Sequence, residues 1–263
     1  MHQMNEGGSV IVTRQGAIAT VTLNEPKSLN ALSPGIKAGL EANLPALAAD
    51  PGIRAIVITG EGRGFCAGGD IRAMDDRDAG ATRERMARNY SWMLPLLTAP
   101  KPVITAINGV AAGAGLSLAL AGDIIVASHA ARFKAGFPGL ALAPDLALAY
   151  TLPRAVGMVR AKDIVLTNRE IGAEEALAIG LVSRLVAPEA LMAEALAIAT
   201  HLASGPTVAF GLTKKLLLRS YELPLDGFLE AEAEAQITAF ASADLAEGVE
   251  AFRAKRKPDF KGR

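Results

Sequence analysis

The first regular pattern in the chain is an alternation of apolar and polar residues near the N-terminus. Residues 9–13 and 17–23 form two such segments, and Gln15-Gly16 lies between them. In the second segment every other residue is apolar: Ala17, Ala19, Val21 and Leu23. Because successive side chains of a strand point to opposite faces, this period of two predicts a β-hairpin with one buried face.

Strands and helices then alternate through the first half of the chain. Pro34–Ala49 is predicted to be a helix, because Ser33 is a good N-cap and proline is well tolerated in a first helical turn. The other predicted elements are strands at 53–59, 102–107 and 124–127, a glycine-rich loop at 60–70, helices at 82–98 and 112–121, and mainly helices after residue 144. This order predicts an α/β fold in which helices connect the strands.

Composition narrows the class of protein. The 263 residues suit one large domain, with or without an appended C-terminal element. Lys plus Arg and Asp plus Glu both number 27, so we expect no general attraction to nucleic acid or to an anionic membrane. The single cysteine excludes an internal disulfide and favours a reducing, cytoplasmic setting.

The uncharged stretch 102–122 could span a bilayer by length, but its glycines, Pro102 and Asn108 favour a buried strand, turn and helix.

Two glycine-rich segments could bring main-chain amides to a ligand. In 64–70, the small residues Ala67, Gly68 and Gly69 allow the backbone to approach closely, and Asp70 is suited to cap a following helix. In 108–115, the chain leaves a strand and starts an apolar helix, whose first amides are free. Each segment alone favours an ordinary tight turn. Together they favour an oxyanion hole, in which one donor is worth roughly 3–4 kcal/mol.

Asp145 is the only acidic residue of the apolar stretch 135–148. Burial there would disfavour the charged carboxylate and would suit a role in proton transfer. However, Pro144-Asp145 in front of a Leu- and Ala-rich run equally favours a helix N-cap. Both interpretations stay open from the sequence, and they are compatible with each other.

Other candidate chemistry is weaker. The three histidines have no metal-ligand spacing, and Cys66 has no base fixed beside it, which favours a small buried residue. The basic run 253–257 is typical of a solvated helix end. Gly113-x-Gly115 after a strand would fit a nucleotide-binding redox enzyme, but leucine occupies position 118, where a third glycine is needed.

The chain resembles the crotonase superfamily, the enoyl-CoA hydratase/isomerase family. Phe-Cys-Ala-Gly-Gly-Asp at 65–70 is similar to the first oxyanion motif of this family, and 108–115 followed by Gly122-Asp123 is similar to the second. Further similarity covers 101–103, 152–154, 174–186 and 247–257. The resemblance implies a spiral of ββα turns over residues 1–200 and a helical C-terminal region over 201–263. That region would build a homotrimer, or a dimer of trimers, and the sequence does not decide between them.

The resemblance also implies roles for individual residues. The oxyanion amides fall on Gly69 and Ala114, and no cofactor is expected because the coenzyme A thioester is itself the substrate. Backbone near Ala67 and Asp70 would bind the adenine, and Phe137 would help keep water out of the acyl pocket. The remaining coenzyme A positions are Lys27 and Leu29 on the pantetheine–phosphate side, and Phe252 and Lys255, which reach the coenzyme of a neighbouring subunit.

Two departures from the family pattern narrow the reaction. Hydratases of the family use two glutamates to place and activate water, and Ser117 and Phe137 stand at those positions here. Pro144-Asp145 instead matches members whose catalytic carboxylate follows that proline, among them the ring-epoxide acyl-CoA isomerase of the phenylacetate pathway and 4-chlorobenzoyl-CoA dehalogenase. The dehalogenase also needs a histidine within 88–92, which this chain lacks.

The sequence therefore predicts an acyl-CoA isomerase that uses Asp145 to shift a double bond or to open a ring oxide. The alternatives are a hydratase in which Asp145 activates water, a dehalogenase-like hydrolase, and a non-catalytic member that binds acyl-CoA or serves as a scaffold. The wall of the acyl pocket is expected from residues 75–93, where the family varies, and the sequence does not name the acyl group.

Overall fold

Two β-sheets and ten α-helices make up the computed structural model, which describes residues 2–3, 9–73 and 78–263. The strands are β1 (His2–Gln3), β2 (Val10–Gln15), β3 (Ile18–Leu23), β4 (Ala55–Gly60), β5 (Gly64–Cys66), β6 (Val103–Ile107), β7 (Val110–Ala112), β8 (Ile124–Ser128), β9 (Arg132–Lys134), β10 (Glu170–Gly172) and β11 (Arg184–Val186). The α-helices are α1 (Pro34–Ala49), α2 (Ala79–Leu97), α3 (Ala114–Ala119), α4 (Leu148–Val156), α5 (Met158–Thr167), α6 (Ala173–Ala178), α7 (Leu191–Ala203), α8 (Thr207–Arg219), α9 (Leu225–Phe240) and α10 (Ala243–Arg253). Short 3-10 helices are Pro26–Ser28, Ile71–Ala73, Phe137–Leu140 and Pro188–Ala190.

The strands pair into a large sheet and a small one. The large sheet has the order β1-β2-β3-β4-β6-β8-β11, and the small sheet has the order β10-β9-β7-β5. From β3 onward the large sheet is parallel, and β5, β7 and β9 are parallel to one another in the small sheet. The pairs β4–β5, β6–β7 and β8–β9 each give one strand to each sheet. The α/β fold built from repeated strand–strand–helix units is therefore confirmed.

The large sheet separates two apolar clusters. Along β4, Ile56 and Ile58 belong to the main core, which also contains the buried residues of α1 and α2. Ala55 and Val57 belong to a second cluster, together with the buried face of α7. This division follows from the pleat of a strand, in which successive side chains point to opposite faces. A strand buried on both faces carries a run of consecutive apolar residues, as Ala55–Ile58 of β4 does.

The structure confirms the N-terminal hairpin and the helix Pro34–Ala49. The Ser33 hydroxyl accepts a hydrogen bond from the Ile36 amide at 3.1 Å, as an N-cap should. Two predictions were wrong in detail. The segment 60–70 is not all loop, since it contains β5, and the helix expected at 112–121 begins only at Ala114. In both cases main-chain pairing is the reason, because β5 pairs with β7 where Gly64 lies opposite Val110.

The C-terminal helices α8, α9 and α10 follow the two sheets in sequence. Lys214 on α8 forms an ion pair of 2.7 Å with Asp123, whose carboxylate also accepts a hydrogen bond from the Val103 amide. The Gly122-Asp123 motif therefore ties α8 to the start of β6. In the described part of the chain no single helix is long and apolar enough to cross a membrane, although Pro188–Ala203 and Thr207–Arg219, bent by 106°, pass that test as a pair.

Candidate active site

Three loops open onto one cavity of about 820 Å³. They follow β5, β7 and β9, which are adjacent and parallel in the small sheet, so their carboxyl ends meet at one edge. The edge of parallel strands where several loops meet is a common place for a ligand site. The loop residues that line the cavity are Ala67, Gly68, Gly69, Asp70, Ala112, Gly113, Ala114, Gly136 and Phe137.

Main-chain hydrogen bonds hold the first two loops in place, but the Gly69 and Ala114 amides have no main-chain acceptor among the described residues. In the first loop the Ala67 amide donates to the Leu29 carbonyl at 2.9 Å. In the second loop the Gly113 amide donates to the Lys134 carbonyl at 3.0 Å. Across residues 2–3, 9–73 and 78–263, neither the Gly69 amide nor the Ala114 amide donates to another main-chain group. The two amides predicted to form the oxyanion hole therefore line one cavity without a main-chain acceptor.

Direct contact between the two loops requires glycine at Gly68 and Gly115. Gly68 has a φ of 99°, which disfavours any side chain. A Cβ atom at Gly68 would lie 2.6 Å from the Ala112 carbonyl oxygen and 3.5 Å from the Ala114 amide nitrogen. A Cβ atom at Gly115 would lie 2.0 Å from the carbonyl oxygen of Cys66. The small residues of both motifs thus allow the two loops to pack directly against each other.

Asp145 lines the same cavity. Its Oδ1 atom is buried and has no hydrogen-bond partner in the described part of the chain. Burial raises the pKa of this carboxyl, while the nearby cations Lys37 and Arg85 oppose that rise. A buried, unpaired carboxyl beside a cavity is a candidate proton acceptor.

The backbone around Asp145 is held in place by Ser117, which is fully buried on α3. The Ser117 hydroxyl donates to the Asp145 carbonyl at 2.9 Å, and the Leu148 amide donates to the same oxygen at 3.1 Å. Leu146 and Ala147 follow with φ values of 47° and 63°, which are unfavourable for residues other than glycine. Such local strain is often found at functional sites.

The N-cap interpretation of Asp145 was wrong. Helix α4 begins at Leu148, its N-cap position is Ala147, and no side chain caps it. The left-handed conformation of Leu146 and Ala147 moves Asp145 away from the helix end, so its carboxyl group does not meet the first amides of α4. The prediction for Asp70 fared better, because its Oδ1 accepts a hydrogen bond from the Arg72 amide at 3.1 Å at the start of a 3-10 helix.

Phe137 and Cys66 are both buried next to the loops. Phe137 begins the 3-10 helix Phe137–Leu140 and lines the cavity near Asp145. Burial raises the pKa of the Cys66 thiol to about 12, so this thiol is neutral and unsuited to act as a nucleophile at neutral pH.

The structure brings only some of the predicted coenzyme A positions together. Ala67, Asp70 and Phe137 line the cavity, and Leu29 lies beside it through its bond to the Ala67 amide. The positions outside the cavity are the exposed Lys27 and Lys255, and Phe252, which is 86% exposed and lines a separate cavity of about 360 Å³. For Phe252 and Lys255 a role at a neighbouring subunit stays a prediction.

The sequence analysis did not name four polar residues of the cavity wall. They are Lys37 on α1 and Thr82, Arg85 and Asn89 on α2. Arg85 and Asn89 are four residues apart, so they lie on one face of α2. Within the predicted pocket wall 75–93, this spacing could have indicated that the two side chains line the pocket together. Residues 75–77 of that predicted wall lie outside the described residues. The sequence offered no comparable indication for Lys37. It directly follows the buried Ile36 on α1, and a lysine next to a buried residue is expected to point to solvent.

Comparisons with known proteins identify the family. A family model described as Enoyl-CoA hydratase/isomerase matches residues 13–263. The chain is 41% identical over 252 residues to the 1,2-epoxyphenylacetyl-CoA isomerase of Escherichia coli K12, covering 94% of this chain and 95% of that protein. It is 36% identical over 260 residues to the short-chain-enoyl-CoA hydratase of Clostridium acetobutylicum, covering 98% of this chain and 100% of that protein.

A solved structure gives the same answer. The crystal structure of enoyl-CoA hydratase from Bacillus anthracis superposes with a TM-score of 0.91 at 31% identity, covering 97% of this chain and 100% of that chain. The fold and the two-loop site thus define an acyl-CoA enzyme. More particularly, the chain belongs to the enoyl-CoA hydratase/isomerase family, the crotonase superfamily.

Proposed function

We propose that this enzyme is an acyl-CoA isomerase in which Asp145 moves a proton along the acyl chain. The substrate is a coenzyme A thioester whose carbonyl oxygen accepts hydrogen bonds from the Gly69 and Ala114 amides. Donors placed where negative charge develops stabilise the enolate and so make the neighbouring C–H group acidic.

The proposed double-bond shift leaves the enzyme unchanged. The Asp145 carboxylate removes a proton from one carbon, and the electron pair of that C–H bond delocalises onto the thioester oxygen. The protonated Asp145 then returns the proton to a different carbon, so the double bond moves and Asp145 is again ionised. Phe137 and its apolar neighbours exclude water, which favours the return of the proton over hydration. A ring oxide is the other proposed substrate type, as in the name of the Escherichia coli relative.

One observation carries the proposal: Asp145, whose Oδ1 atom is buried and has no hydrogen-bond partner among the described residues, lines the cavity that both amide loops line. The raised pKa of this carboxyl adds support, because a base of higher pKa accepts a carbon-bound proton more readily. The two glutamate positions of hydratases are occupied by Ser117, which bonds to main chain, and by apolar Phe137.

Replacement of Asp145 by Asn tests the proposal. We expect kcat to fall at least about 1000-fold, while the Kd for coenzyme A thioesters stays within about twofold, since the amide keeps the shape of the carboxyl but cannot accept the proton. The thermal midpoint at pH 7 should equal or exceed that of the wild type, because burial penalises the charged carboxylate. Unchanged turnover in a folded D145N variant would remove Asp145 from the mechanism.

Hydratase activity is the second candidate, supported by relatives such as the Clostridium acetobutylicum enzyme. In that reaction Asp145 would activate a water molecule. Incubation with a panel of acyl-CoA thioesters, including crotonyl-CoA, followed by mass spectrometry separates the two. An isomerase yields products of unchanged mass, whereas a hydratase yields products heavier by one water.

We also propose that the C-terminal helices form a homo-oligomer, as a trimer or a pair of trimers. Large apolar side chains are exposed on these helices in the isolated chain: Leu217, Leu225, Leu229, Ile237, Phe240 and Phe252. Burial of such side chains against a second copy is favourable. Sedimentation equilibrium gives the mass directly, and a monomer at micromolar concentration would contradict the proposal.

A further inference from the structure

Three polar side chains lie where the main cavity meets a smaller one. Lys37, Arg85 and Asn89 line the cavity of about 820 Å³ that contains Asp145. The same three residues line an adjoining cavity of about 320 Å³ between α1 and α2. We name these residues the donor cluster.

The donor cluster makes almost no hydrogen bonds within the protein. Within residues 2–3, 9–73 and 78–263, neither the Lys37 ammonium nor the Asn89 amide has a hydrogen-bond or ion-pair partner, and the Arg85 guanidinium has only a 3.4 Å contact with the Thr82 hydroxyl. Asn89 is only 5% exposed. A bound acceptor would give these donors hydrogen bonds that the protein itself does not provide.

The charges around the cluster favour an anion. Lys37 and Arg85 bring two positive charges to the main cavity, and Arg88 adds a third in the adjoining one. The acids near these cations are Asp145, Asp70 and Glu41. Asp145 lies at the reacting end, Asp70 is already paired with Arg72 at 2.9 Å, and Glu41 accepts a hydrogen bond from Ser91 on the outer side. Donors and positive charge therefore exceed the available acceptors.

We propose that the donor cluster binds a carboxylate at the far end of the acyl group, so that the substrates are coenzyme A monothioesters of dicarboxylic acids. This inference rests on the proposed function, because it takes the amide loops as the thioester end of the cavity. The acyl chain then runs from the amides, past Asp145, to the cluster. Lys37 and Arg85 supply charge-assisted hydrogen bonds, which are the strongest kind, and Asn89 supplies a neutral donor.

Binding of matched, unreactive thioesters tests the proposal. Adipyl-, glutaryl- and succinyl-CoA are compared by calorimetry with hexanoyl-, pentanoyl- and butyryl-CoA, which carry a methyl group in place of the terminal carboxylate. We expect at least one carboxylated member to bind about 10-fold tighter than its partner. Lys37→Met should abolish this preference and leave the Kd of the uncharged thioester unchanged, Lys37→Arg should retain it, and Asn89→Asp should reverse it by charge repulsion.

Arg83→Met is the matched control, since Arg83 lies on the same helix, is exposed and lines neither cavity. It should behave as the wild type. If no pair shows a preference, or if Lys37→Met weakens both members of a pair equally, the proposal is overturned; the second result would mean that the cluster binds a coenzyme A phosphate or serves only Asp145. Because the readout is binding and not turnover, an isomerase assay that fails leaves this result interpretable, and the reverse also holds.

Discussion

The two ends of the cavity are built from different parts of the polypeptide. At one end, the loops after β5 and β7 present main-chain amides, and their geometry depends on Gly68 and Gly115, where even one carbon atom would collide with the neighbouring backbone. At the other end, Asp145 and the donor cluster present side chains from three separate segments. The main-chain end matches the sequence motifs of the whole family. The side-chain end contains Asp145, on which the proposed proton transfer depends.

Under the proposed function, the main-chain end holds the thioester and the side-chain end acts on the acyl group. Main-chain amides can stabilise the thioester oxygen in any member, because they do not depend on side-chain identity. The choice between proton transfer and hydration, and the choice of acyl group, then depends on the side chains opposite. Changes at the two ends should therefore have different signatures in kinetics.

Gly68→Ala should give the largest effect. The new methyl group would meet the Ala112 carbonyl oxygen at 2.6 Å and force the two loops apart, so we expect kcat to fall about 100- to 1000-fold for every acyl group tested. Gly16→Ala is the control, because Gly16 also has a positive φ, of 57°, but has no atom within 4 Å of the new carbon. It should lose stability without loss of kcat. Normal turnover in folded G68A would refute the assignment of the main-chain end.

Ser117→Ala should give an intermediate effect. Loss of the hydroxyl frees the Asp145 carbonyl, and we expect kcat to drop about 10-fold with little change in KM, at a stability cost of about 1 kcal/mol. Thr105→Val removes another fully buried hydroxyl that donates to a main-chain carbonyl, that of Ala119, at 2.8 Å. It should cost similar stability and no kcat. Equal kcat losses in both variants would mean that Ser117 acts on stability alone.

Lys37→Met should give the smallest effect when an uncharged acyl group is used. The acidic limb of kcat/KM against pH reports the pKa of the catalytic base in the free enzyme. Burial raises the pKa of Asp145 and Lys37 lowers it, so removal of Lys37 should move that limb to higher pH. Rates on the plateau above the limb should change less than about twofold, and R83M should leave the limb in place. A limb that moves to lower pH would contradict the electrostatic assignment.

Local signals in the sequence were enough for the regular elements and for the amide loops. The hairpin follows from alternation, α1 from its Ser33 cap, and the loops from their small residues. The strands β5 and β7, of three residues each, could not be foreseen, because they exist only through pairing with each other and with β9. The turn after Asp145 could not be predicted either. Leu146 and Ala147 adopt positive φ there, and the sequence has no glycine or asparagine at these positions to indicate it. The spacing of Arg85 and Asn89 places them on one face of α2, but their meeting with Lys37 depends on how α1 packs on α2, which no local pattern predicts.

The position of Cys66 gives the enzyme a built-in reporter. The chain has one cysteine, and it is buried under the first loop with its carbonyl oxygen against Gly115 of the second. A thiol-alkylating reagent reaches this buried sulfur only when the surrounding structure opens, so the labelling rate measures how often it opens around β5 and the start of α3. The same unmodified protein can be timed empty and with thioester bound, so that the rigidity of the site becomes a measured quantity.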